Sequence, residues 1–103
     1  MSEKSITYKI RIDSDLKELI PGFLKNREID IEKIDQALEE SDFNTISLLG
    51  HSMKGNGSGY GFDRISELGK AIESSARDKN REEIRQRLVD LSDFLHHLEI
   101  EYI

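Results

Sequence analysis

The chain has 103 residues, 36% of them hydrophobic and 35% charged, the size and balance of one folded domain with a single modest core and solvated helix faces. Fifteen Lys and Arg against 21 Asp and Glu leave a net charge of −6, which repels nucleic acid and anionic lipid alike. The absence of cysteine removes disulfides, zinc thiolate sites and thiol catalysis together.

At the start, MSEKSITYKI lacks the apolar core of a signal peptide, and no later apolar run has the length of a membrane span, so the expectation is a cytoplasmic protein that does not enter a membrane. Ile6, Tyr8, Ile10 and Ile12 alternate with Thr7, Lys9 and Arg11, which is strand periodicity. No second strand is evident, so residues 1–12 are expected to form an extended arm across the domain, with pairing between two copies as the other option.

Asp13 or Ser14 can cap the first helix. Its apolar residues Leu16, Leu19, Ile20, Phe23, Ile31, Ile34, Ala37 and Leu38 hold one helical phase, with a kink expected at Pro21. Arg27 falls inside that stripe and is expected to snorkel past the core or pair with a carboxylate. Ser41 or Asp42 opens a second helix through Phe43, Ile46, Leu49 and Met53, with Met53 as core filler. A third helix runs from about Asp63 with Ile65, Leu68, Ile72 and Ala76 on one face. Asn80 opens a fourth, whose face is Ile84, Leu88, Leu91, Leu95, Leu98 and Tyr102. Short polar connections make consecutive helices antiparallel neighbours. The predicted fold is all-α: an up-down-up-down four-helix bundle over residues 13–103, preceded by the extended arm.

The second helix ends in HSMKGNGSGYGF, residues 51–62. At about 100° per residue, Phe43, Ile46, Leu49, Gly50, Met53 and Gly57 share the packed side, and His51 faces solvent. Lys54 and Gly55 lie one turn on, with Ser47, Leu48 and Ser58 completing the patch. An exposed neutral imidazole has one ring nitrogen with a free lone pair that can attack phosphorus, here with no general base in view. A lysine one turn away can offset incoming phosphoryl charge, and a glycine beside it leaves room for phosphoryl oxygens and for a docking surface.

His51-x-x-Lys54-Gly55 on the second of four helices resembles the histidine-containing phosphotransfer (HPt) domain of bacterial multistep phosphorelays, with the likeness extending over about residues 13–98. The resemblance implies a phosphocarrier. His51 would accept a phosphoryl group from the aspartyl phosphate of a receiver domain and return it to the same or another receiver. By the same resemblance Lys54 stabilises the phosphate and Gly55 gives access, while Ser47, Leu48 and Ser58 belong to the partner-binding surface. The implied partners are response-regulator receiver domains and a hybrid histidine kinase, met by a monomer. The implied chain has no metal or cofactor of its own, because the magnesium of the reaction belongs to the receiver. Formally this is a transferase reaction carried by a passive protein, with no second acid, base or cofactor motif near the histidine. The other function the residues allow is a helical adaptor that docks a receiver or kinase and is never phosphorylated. The arm and the dense glycines after Gly55 depart from the family pattern.

Gly55, Gly57, Gly59 and Gly61 do not form a nucleotide cradle, since they match neither phosphate-loop spacing and they follow a helix instead of preceding one. Gly57, on the packed side, is expected to allow close approach of a neighbouring helix, and Gly59 to Gly61 to turn the chain so that Phe62 re-enters the core. His96 and His97 are adjacent on the last helix, about 100° apart. They cannot chelate one ion as an i, i+4 pair does, and are expected on solvated surface.

Overall fold

The computed structural model describes residues 7–103; the first half of the expected arm, with Ile6, lies outside the described residues. Four helices form the bundle: α1 (Ile20–Glu39), α2 (Phe43–Asn56), α3 (Asp63–Arg77) and α4 (Arg81–His96). Two strands, β1 (Tyr8–Ile12) and β2 (Leu98–Tyr102), pair at one side, and short 3-10 turns occupy Ser14–Leu16 and Ser58–Tyr60. No helix among the described residues is long and apolar enough to cross a membrane.

Helices α2 and α4 begin where the sequence supplies a side-chain acceptor for the free N–H groups of the first turn. Asp42 accepts from the Thr45 N–H at 3.1 Å and from its hydroxyl at 2.6 Å, and these bonds hold the Asp42 carboxyl below the usual range. Asn80 accepts from the Glu83 N–H at 3.1 Å, with Glu82 and Glu83 adding negative charge at the positive end of α4. Asp13 caps the 3-10 turn instead of the first long helix. That helix starts at Ile20 with Pro21 in its first turn, where the missing N–H has no intrahelical acceptor to lose. Pro21 therefore opens α1 instead of kinking it, and Leu16 and Leu19 precede the helix.

The predicted helical faces meet in one core. Ile12, Ile20, Ile34, Ile46, Met53, Phe62, Ile65, Leu68, Ile72, Ile84, Leu91 and Phe94 are the largest fully buried side chains. Burying each contributes about 1.5–3 kcal/mol relative to leaving it exposed. Phe62 packs parallel to Phe23 at 5.7 Å and edge-on to Phe94 at 6.3 Å, tying the turn after α2 to α1 and α4. Arg27, in the apolar stripe of α1, pairs with a carboxylate: its Nε lies 3.0 Å from Asp30 Oδ2. Burial pushes the Asp30 carboxyl upward, partly offset by the Arg27 charge.

The expected fourth helix runs six residues past its observed end at His96, and the arm has a partner within the chain. Leu98–Tyr102 leaves the helix at His97 and pairs in parallel with Tyr8–Ile12, with Lys9 opposite Glu99 and Arg11 opposite Glu101. Leu98 and Tyr102 suit a helical face by their spacing of four, but with Ile100 they also alternate with Glu99 and Glu101. The basic, alternating β1 decides between the two periods, because it supplies a ladder and opposite charges. Arg11 Nε meets Glu101 Oε1 at 3.2 Å on the exposed face. On the other face Tyr8, Ile10, Leu98, Ile100 and Tyr102 pack against the core, and the Tyr8 hydroxyl donates to Asp93 at 2.8 Å.

Candidate functional site

Helices α2 and α3 touch at backbone distance because glycines face each other at the crossing. A Cβ added at Gly50 would lie 2.7 Å from the Glu73 backbone nitrogen and 2.8 Å from the Gly69 carbonyl oxygen. One added at Gly69 would lie 2.5 Å from the Lys54 nitrogen and 2.7 Å from the Gly50 carbonyl oxygen. Gly57 is as tightly placed, 2.7 Å from the Ser66 nitrogen by the same construction, so it serves close helix approach as its phase suggests. This closeness brings side chains on the outer rim of α2 within reach of one side chain on α3.

That side chain is Glu73. Its Oε2 lies 2.9 Å from His51 Nδ1 and 2.9 Å from Arg77 Nη2, and its Oε1 lies 2.9 Å from Lys54 Nζ. The carboxylate is 6% exposed while the imidazole is 66% exposed, so a buried anion holds an outward-facing ring. The hydrogen bond from Lys54 lowers the Glu73 pKa most; burial works against it, and the His51 bond and the charges of Lys54 and Arg77 add to the lowering. Glu73 is therefore ionised near neutral pH and can only accept. Its bond to the neutral ring requires the proton on Nδ1, which leaves the lone pair on Nε2. Among the described residues Nε2 has no hydrogen-bond partner.

Gly55 is exposed, and a Cβ there would meet nothing within 4 Å. Packing does not demand a glycine at that position, and the space above the last turn of α2 is open. Leu48, one turn before His51, is 63% exposed, and Ser47 beside it is half-buried. Ser58 lies past the helix end, where its N–H and hydroxyl meet Ser66 Oγ at 2.8 and 3.1 Å. The profile of the Hpt domain matches residues 18–101, across all four helices and the His51 site.

The chain belongs to the Hpt domain family.

No curated protein and no solved structure matches it significantly. Hpt domains serve as phosphocarriers in two-component phosphorelays and interact with receiver domains and kinases. In this Hpt domain the sequence pattern finds the outward His51, the lysine one turn on and the open Gly55, and it misses Glu73 and Arg77. A histidine without a base in view is thus corrected to one held by a carboxylate. In sequence Glu73 and Arg77 read as an ordinary i, i+4 surface pair, and the helical phase of α3 alone hints otherwise, by setting Glu73 beside Ile72 and four residues after Gly69. His96 and His97 stay on the surface, each Nδ1 lying 2.8 Å from a carbonyl oxygen of its own helix, of Ser92 and Asp93 respectively. Among the described residues no group of three or more His, Cys, Asp or Glu could hold a metal ion.

Proposed function

We propose that His51 is the phosphoacceptor of this Hpt domain and carries a phosphoryl group between receiver domains. Nε2 attacks the phosphorus of a receiver's aspartyl phosphate in line, the N–P bond forms as the P–O bond to the aspartate breaks, and the aspartate leaves as a carboxylate. The proton on Nδ1 stays in place, so the phosphorylated ring gains positive charge that ionised Glu73 compensates at 2.9 Å. Lys54 can turn from Glu73 toward the phosphoryl oxygens, and open Gly55 admits both these oxygens and the receiver's surface. In reverse, a receiver aspartate attacks the same phosphorus and releases the ring. Leu48 and Ser47 extend the docking surface, with Ser58 at its edge. The magnesium of the reaction belongs to the receiver and is no part of this chain's chemistry. The carrier works as a monomer, a reading supported by β1 finding its partner strand within the chain, and its expected donors include the receiver of a hybrid histidine kinase.

The observation that carries this reading is the exposed imidazole fixed at Nδ1 by a buried, ionised carboxylate. Mixing the protein with a receiver domain carrying radiolabelled aspartyl phosphate should move label to the wild type as acid-labile phosphohistidine. His51→Gln should take up none, and undiminished uptake would remove His51 from the reaction. Lys54→Ala should slow uptake by on the order of tenfold, and an unchanged rate would leave Lys54 out of the mechanism. Receiver binding by a wild type that never gains phosphate would support an adaptor instead.

A further inference from the structure

The last turn of α2 carries Lys54 and is poorly supported by its own sequence. Gly55 and Gly57 flank Asn56, the final residue of the helix, and glycine is the weakest helix former after proline. The closing bond of this turn, from the Gly57 N–H to the Met53 carbonyl at 3.0 Å, is followed at once by the 3-10 turn and Gly61 at φ 94°. A helix ending of this composition frays unless another element holds it.

Helix α3 holds the turn on one side, through its close approach to Lys54 and Gly57, and α1 supplies a second hold. The Arg27 guanidinium, 9% exposed, donates from Nη1 to Asn56 Oδ1 at 3.1 Å and lies beside Asp30 at 3.0 Å. It sits 4.6 Å from the centre of the Phe23 ring, and that ring stacks at 4.3 Å on Tyr60 in the turn after α2. One arginine thus fixes the last residue of α2 and, through Phe23, the following turn. Burial beside Asp30 fixes the arginine in its turn, because neither charge is stable there without the other.

We propose that Arg27 is a positioning residue for the His51 site, acting through Asn56 to keep the last turn of α2 wound and so to keep Lys54 beside His51, within reach of an incoming phosphoryl group. The inference rests on the phosphocarrier reading for its effect on transfer, while its effect on the helix end is independent of that reading. Arg27 touches neither the imidazole nor the incoming phosphoryl group. Losing it removes one of the two holds on this turn, leaving only the packing on α3, so that Lys54, two residues before Asn56, keeps its place beside His51 less of the time.

The test pairs Asn56→Ala with Arg27→Met, a change that keeps much of the packing over Phe23, and reads two quantities. Amide hydrogen exchange should quicken by about tenfold at residues 54–57, the loss expected for one hydrogen bond to a charged group, while protection in α3 and α4 stays unchanged. Phosphotransfer from a phosphorylated receiver should slow at saturating receiver, with the half-saturating receiver concentration unchanged. Unchanged exchange at residues 54–57 would overturn the inference, and so would faster exchange with an undiminished saturated rate. Should Arg27→Met fail to fold, Asn56→Ala alone decides, since its half-buried side chain is removed without stranding a buried charge. A wild type that accepts no phosphate would sink the phosphocarrier reading, and with it the transfer role of Arg27, while the exchange measurement still judges the clamp.

Discussion

At the scale of single residues, Glu73 sets the chemistry available to His51. A glutamine there keeps an oxygen able to accept from Nδ1 but removes the charge that compensates a phosphorylated ring. Glu73→Gln should therefore slow phosphoryl uptake by on the order of tenfold while leaving His51 competent, as single-turnover transfer would measure. The same carboxylate makes stability depend on acid. Its folded pKa is depressed below the ordinary 4.5, so its contribution is fully present above that value and is lost as pH falls through the lower folded value. Denaturant unfolding across a pH series should show the wild type more stable than Glu73→Gln at neutral pH, with the gap closing below pH 4.5. A gap of constant size would mean that Glu73 makes no ionised contribution. Of this constellation, His51, Lys54 and Gly55 were legible in sequence because all three lie within one turn of one helix. Glu73 was not, because its partners stand on another helix and only the tertiary crossing brings them together.

At the scale of elements, the crossing of α2 and α3 is set by what is missing at Gly50 and Gly69. Alanine at Gly69 would place a methyl carbon 2.5 Å from the Lys54 nitrogen, a backbone atom that can yield only if the helices part. Gly69→Ala should destabilise the domain by about 2 kcal/mol and also slow phosphoryl uptake, because parting the helices draws Glu73 away from His51 and Lys54. Gly55→Ala is the contrast: with nothing within 4 Å it should leave stability equal or higher by up to about 1 kcal/mol, while impeding access to His51. Thermal unfolding and transfer assays on the two variants separate a packing glycine from an access glycine. If Gly69→Ala left stability untouched, the tight crossing would be wrong. Helical phase in the sequence located all four helices and put Gly57 on the packed side, since a 3.6-residue period survives polar surroundings. It misplaced Pro21, because an apolar phase that runs through a 3-10 turn looks continuous with the helix that follows.

At the scale of the whole molecule, the bundle is fastened by its first and last described elements. Leu98–Tyr102 could not be read as a strand in isolation, because its alternation acquires meaning only opposite β1, about ninety residues earlier in the chain. The pairing is held partly by cross-strand charge. Arg11→Glu should set like charges side by side and cost up to about 1 kcal/mol, and adding Glu101→Arg should restore most of it. Urea unfolding of the two single variants and the double would give the coupling, and additive effects would show that the exposed pair contributes nothing.

The parallel direction of that pairing has a mechanical consequence. Residue 7 enters the ribbon at the end where Leu98 begins, and Ile103 leaves it at the end where Ile12 finishes. Tension applied between those two residues therefore runs along the strands in shear, loading the inter-strand hydrogen bonds together instead of peeling them one at a time. Stretched between residues 7 and 103, the domain should first give way by sliding this ribbon, with the four helices and the His51 site still folded behind it.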